Sequence, residues 1–119
     1  MVLKSWFQVV GGDDKVSKIY TIMTMTDLTF DEQTKCPEFG SSRLVGWYPK
    51  YDVANWAVLS NVCDINETCY DYALIEECEE GLYKPANKRW WFKYNHEKDQ
   101  YFQINEPDFI KGFCGFTIG

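Results

Sequence analysis

Arginine is nearly absent from this chain: of twelve cationic side chains ten are lysine, and only Arg43 and Arg89 are arginine. Arginine is the side chain suited to a two-pronged grip on phosphate or carboxylate, so two positions exhaust the strong candidates for that chemistry. Histidine is scarcer still, with His96 alone, set in a charged stretch. The five cysteines, Cys36, Cys63, Cys69, Cys78 and Cys114, form no C-x-x-C pair. Zinc asks for four ligands in local knuckles, a spacing this chain lacks, so no metal site and no cofactor is expected. An odd number of cysteines points to reduced thiols; a Cys63–Cys69 bridge is the one pairing left open.

Long apolar runs are missing as well. No stretch approaches the ~20 residues needed to span a bilayer, and the N-terminus lacks a basic segment followed by an apolar core. The expectation is a cytosolic protein without membrane contact, in which the Asn66-Glu67-Thr68 sequon carries no meaning. Nor is there a surplus of positive charge: 18 acids face 12 bases, for a net charge of −6 and a pI near 4.7. Attraction to DNA, RNA or an anionic membrane needs a cationic surface, which argues against a nucleic-acid polymer as partner. Catalytic signatures are absent too: no Gly-x-Ser-x-Gly, P-loop or His-Glu-x-x-His occurs. A binding protein fits better than an enzyme.

What is present is a chain of 119 residues, 45% apolar and 18% aromatic, with five Trp, eight Tyr and eight Phe. That length predicts one domain, residues 1–119, able to fold on its own core. So many rings suit an aromatic core in a β-rich domain or a stacking pocket for a nucleobase. Most must serve the core.

Residues 6–10 could form a short strand before the Gly11-Gly12-Asp13-Asp14 turn. Strands are predicted over 18–26, 43–48, 70–78, 89–95 and 101–104, with a helix over about 50–62 whose inward stripe is Val53, Trp56 and Ala57. The 70–78 strand has an apolar centre, Ala73-Leu74-Ile75, which places it in mid-sheet. Residues 27–42 read as a long loop, and 113–119 as an apolar last strand. The order β-β-α-β-β-β, with one principal helix, defines an α+β domain with a mostly antiparallel sheet.

Two constellations could hold a ligand. On the 89–95 strand, alternation puts Arg89, Trp91, Lys93 and Asn95 on one face and Trp90, Phe92 and Tyr94 on the other. The first set suits a phosphate beside a base or ribose; equally, it suits an outer sheet face where cationic stems lie over Trp91. The second face is a core face. In the other constellation Arg43, Val45 and Trp47 are expected to share a face, followed by Tyr48 and a helix start that offers free N–H groups. Gly46 there would admit a close approach, or mark a packing choice or a bulge. The ligand-binding candidates are therefore Arg43, Trp47, Tyr48, Arg89, Trp91, Lys93 and Asn95. The run Glu76, Glu77, Glu79, Glu80 reads as a solvated strand edge.

Taken in order, Arg43-Leu-Val-Gly46-Trp-Tyr, a short helix, Tyr72-Ala-Leu-Ile-Glu-Glu with Gly81-Leu-Tyr, Arg89-Trp-Trp-Phe-Lys-Tyr and Phe116-Thr-Ile-Gly119 form a pattern. It resembles small phage proteins of the Thoeris anti-defence sponge type. That resemblance implies an inert protein in the host bacterial cytosol that sequesters a nucleotide-derived signal, a cyclic ADP-ribose isomer or a related cyclic nucleotide. It also implies a dimer or higher homo-oligomer. Two other classes compete. One is an acidic inhibitor of the anti-CRISPR or anti-restriction kind that mimics DNA with Asp13, Asp14, Asp31, Glu32 and the 76–80 acids. The other is a small phosphodiesterase, for which His96 is the sole histidine base.

Overall fold

Eight residues rich in Ile, Tyr, Thr and Met open the described chain as strand β1, Lys18–Met25. The structure is a computed structural model and describes residues 17–111 and 115–118. Two short strands follow, β2 (Thr29–Asp31) and β3 (Cys36–Glu38), then β4 (Ser42–Tyr48), helix α1 (Tyr51–Leu59), β5 (Tyr72–Glu79), β6 (Lys88–Asn95) and β7 (Gln100–Ile104). The fold is α+β: one helix lies on a five-stranded sheet of order β4-β1-β5-β6-β7, in which every pairing is antiparallel. Strand β5 is the middle one, as its apolar centre predicts, and six successive residues from Ala73 to Cys78 are buried. The 27–42 stretch is not a plain loop, because β2 and β3 pair there as a separate hairpin. The strand considered for residues 6–10 lies outside the described residues.

Pro49 ends β4, and Lys50 is the extended residue from which α1 starts. Asp52 in the first turn favours the positive end of the helix dipole. The helix stops three residues short of its expected end, because Asn61 turns left-handed at φ 47° and takes the terminating role that Gly usually fills. Its inward stripe is also rotated by one residue. Ala54, Ala57 and Val58 face the sheet, while Val53 and Trp56 are exposed. Small alanines let the helix sit close over a sheet face already filled by large rings: Phe92, Tyr94 and Tyr101, with Tyr20 and Trp90 partly buried beside them. The bulk is on the sheet, so the helix contributes little of it.

The opposite sheet face is packed too. Met23, Met25, Leu74 and Trp91 are buried with Ile110, under Leu28, Phe109 and Phe116. The cover comes from the β2–β3 region and the C-terminal segment, joined by ring contacts Phe30–Phe109 at 5.7 Å and Phe39–Phe116 at 5.8 Å. The described part of the expected last strand, residues 115–118, is not a strand; it crosses this face as irregular backbone. Phe113 and Cys114 lie outside the described residues. Among the described residues no helix is long and apolar enough to cross a membrane.

The alternation expected for β6 holds, but its consequence for Trp91 does not. Trp91 is 1% exposed and packs edge-on to Phe116 at 5.4 Å. Trp91→Ala should therefore cost about 3–5 kcal/mol of stability, the usual range for emptying a buried aromatic site. Trp90→Ala should cost less, because Trp90 is only partly buried. Urea unfolding of both variants checks the order; an unchanged midpoint for Trp91→Ala would contradict a packed second face.

Candidate functional site

The strand ladders fix which side chains share a face, since residues directly opposite in an antiparallel pair point the same way. Thr21 of β1 pairs with Trp47 of β4 and with Glu76 of β5, and Glu76 pairs with Arg89 of β6. Trp47, Thr21, Glu76 and Arg89 thus form one row on the face opposite α1. Trp91 and Lys93 lie in the next rows of that face, opposite Leu74 and Tyr72.

Arg43 and Trp47 do not share a face, contrary to the expectation from simple alternation. The β1–β4 register shifts between Ile22 and Met23, so Val45 is an extra residue in the ladder. Such a bulge reverses the facing of everything beyond it. Arg43 pairs with Thr24 and Tyr48 with Tyr20, both on the helix side. Even on the common face, Trp47 and Arg89 stand three strands apart, roughly 14 Å at ~4.8 Å per strand. The seven candidates therefore do not make one wall.

Each is already engaged or set apart. Arg43 is ion-paired with Glu67, donates to the Ile65 carbonyl at 3.3 Å and lies 4.2 Å from the Tyr70 ring centre. Trp47 is exposed on the edge strand and Tyr48 half-buried. The Lys93 ammonium sits 5.5 Å from the Tyr72 ring centre. Asn95 holds the β6–β7 turn, its Oδ1 accepting from the Glu97 and Lys98 amides at 2.9 and 3.1 Å. Trp91 is enclosed and offers no ring face for stacking. The Trp91 indole N–H donates to Glu106 Oε1 at 3.1 Å.

Arg89 has the densest surroundings. Its Nε donates to Glu106 Oε1 at 2.7 Å, and Nη1 stands 3.8 Å from Glu76 Oε2. Glu76 is fully buried and accepts the Phe116 amide at 2.9 Å and the Thr117 amide at 2.7 Å. Neighbouring Glu77 is also buried. Burial alone would push its carboxyl up, yet hydrogen bonds from Asn87 and Tyr20 and the Lys18 ammonium outweigh that and hold it below the ordinary range. The run 76–80 is consequently not a solvated edge, and two of its four acids are unavailable to an acidic surface. Asp13 and Asp14 lie outside the described residues.

Two cavities stand out. The first, about 390 Å³, opens at the start of β6 among Asn87, Lys88, Arg89, Trp90 and Glu106. Its lining is mostly polar and charged, with Ala86 and the Trp90 ring as the apolar part. The second, about 220 Å³, lies between β4 and the loop after α1, and no charged residue lines it. His96 is at the opposite end of β6 from the first cavity, in the turn, with Nε2 2.9 Å from Asp71 Oδ1. Eight strand residues separate the two by roughly 24 Å or more, so His96 cannot serve that cavity. The thiols of Cys36, Cys63 and Cys69 are exposed and unbridged, and that of Cys78 is buried. Among the described residues no group of three or more His, Cys, Asp or Glu could hold a metal ion.

No family model, curated protein or solved structure matches the chain.

Sequence reasoning placed Glu76 on a solvated edge, whereas it is buried, and did not single out Glu106. The signal for Glu106 was the hairpin itself: continuing the β6–β7 register two residues past Trp91–Ile104 sets Arg89 opposite Glu106. Arg89 is thus a structural ion-pair partner. Arg89→Ala removes the cationic partner that Glu76 and Glu106 share, which should cost about 3–5 kcal/mol, the range for breaking a buried ion pair. Thermal unfolding with parallel denaturant titration checks this; a fully stable variant would refute the network's role.

Proposed function

We propose that this domain binds a small nucleotide-derived anion without turning it over, in the cavity at the start of β6, and acts by sequestration. The observation that carries the reading is that cavity: its volume of about 390 Å³ falls within the ~300–1,000 Å³ typical of small-molecule sites. Lys88 supplies an ammonium for phosphate. Glu106, whose Oε1 takes Arg89 and Trp91, turns its Oε2 to ribose hydroxyls or an exocyclic amine. Trp90, its ring tilted against that of Tyr51 with the ring centres 4.3 Å apart, presents a held indole at the wall. With Arg89 shared between Glu76 and Glu106, the four charges of Lys88, Arg89, Glu76 and Glu106 cancel. A ligand with few phosphates among many hydroxyls matches such a site better than a polyphosphate.

Binding without chemistry is favoured because the groups that could act as base or acid there are held by neighbours. Glu106 holds Arg89 and Trp91, and Asn87 donates to Glu77 at 3.2 Å and Glu79 at 2.9 Å. The resemblance to Thoeris anti-defence sponges supplies the ligand class, a cyclic ADP-ribose isomer or related cyclic nucleotide in the bacterial cytosol. It also supplies the assembly, a dimer or higher oligomer. The exposed Leu44 and Trp47 on β4, an outer strand of the sheet among the described residues, are the natural contact for a second copy.

Calorimetric titration with cyclic ADP-ribose isomers tests the reading. The wild-type protein should bind one of them, release it chemically unchanged after heating, and lose about ten-fold in affinity on Lys88→Ala, a charge-assisted contact of ~1.4 kcal/mol. Degraded ligand would indicate an enzyme, and no uptake of any isomer would sink the sponge reading.

A further inference from the structure

The row on the helix side of the sheet runs Gly46, Ile22, Ile75, Trp90. Three members fill their share of the space under α1. Gly46 does not. A Cβ built at Gly46 would meet no heavy atom within 4 Å, so the absent side chain leaves a vacancy rather than relieving a clash. The second cavity occupies this place. It is walled by Val45 and Tyr48 from β4, by Ile22 and Ala57 below, and by Val62, Cys63 and Ile65 from the loop.

Three properties of this cavity converge on one ligand chemistry. Its wall carries no charge, and Arg43, the cation of β4, is paired with Glu67. Its volume of about 220 Å³ exceeds the ~150 Å³ of an apolar cavity that stays dry and takes benzene. The loop that supplies Val62, Cys63 and Ile65 to this wall is also strained, Cys63 being the strained residue that lines the cavity. Asn61, Cys63, Asp64, Glu67 and Thr68 all adopt positive φ, between 42° and 66°, and none is glycine. Each such residue costs free energy, and concentrations of them are a mark of ligand clamps. The bulge at Val45 adds a second departure from regular geometry on the facing wall.

We propose that the cavity between β4 and the 61–68 loop is a binding site for a small uncharged planar aromatic molecule of one or two rings. The ring lies against Gly46, where a side chain would otherwise stand, between Val45 and Tyr48 on one side and Val62 and Ile65 on the other. This site is independent of the nucleotide reading. It stands three strands from the β6 cavity and offers no partner for phosphate.

The test uses the full chain, indole as the neutral probe and indole-3-acetate as its charged counterpart, followed by amide chemical shifts. Indole should move the amides of Val45, Gly46, Val62, Cys63 and Ile65, with an affinity between about 0.1 and 5 mM, as befits a ligand of roughly nine heavy atoms. Indole-3-acetate should bind about ten-fold more weakly, since burying its carboxylate without a partner is unfavourable. Gly46→Leu should fill the space and abolish binding while the protein stays folded. Gly46→Ala, the smaller filling, should weaken binding by a lesser factor and serves if the leucine variant does not fold. Shifts confined to other residues, equal binding of the charged probe, unaltered binding in the Gly46 variants or no binding at all would each overturn the proposal.

Discussion

A carboxylate buried in the middle of a sheet has to be met by donors, and the second face of this protein is organised around that requirement. Glu76 sits on the central strand with no exposed surface, facing away from the helix. An ionised carboxyl there is tolerable only if its oxygens are satisfied. The donors come from distant parts of the chain: the amides of Phe116 and Thr117, with the Arg89 guanidinium alongside. Glu106 then completes the set by taking Arg89 and the Trp91 indole. One polar network therefore joins β5, β6, the residues after β7 and the C-terminal segment. It draws that segment across Leu74 and Trp91 and sets Phe116 on the Trp91 ring.

Much of the architecture was legible from pattern alone. The strands of the main sheet follow the runs of β-branched and aromatic residues, and the apolar centre at Ala73-Leu74-Ile75 locates β5 in the middle. What escaped had identifiable physical causes. The helix stripe is displaced because a sheet face crowded with Tyr and Trp accepts alanine rather than Trp56. The facing of Arg43 relative to Trp47 depends on one extra residue in a ladder, and a bulge of that kind leaves no periodic trace. The 115–118 segment has strand-like composition but finds its hydrogen-bond acceptors in a side chain instead of a neighbouring strand.

The candidate site was legible only in part. Arg89 was singled out as a phosphate contact, and in the structure it is met by carboxylates of this same chain. A short list of arginines points equally well to a buried ion pair and to an anion site. Trp91 illustrates the same ambiguity, because alternation assigns a face without saying whether that face is covered. Gly46 was read as a place of close approach or a bulge, and the structure adds a reason: the missing side chain leaves space. The two cavities differ in the way their walls require. The one at the start of β6 is polar because it borders the Arg89–Glu106 pair, and the one beside β4 is apolar because it is a gap in the helix-side core.

The claim on which this account rests is that Glu76 anchors the C-terminal segment as a permanent part of the folded domain. Native-state hydrogen exchange of the Phe116 and Thr117 amides tests it most directly. If the anchoring holds, both amides should exchange only through global unfolding, with the same protection as the core amides of β5. Exchange of either amide as fast as that of the exposed Leu82 would contradict the account.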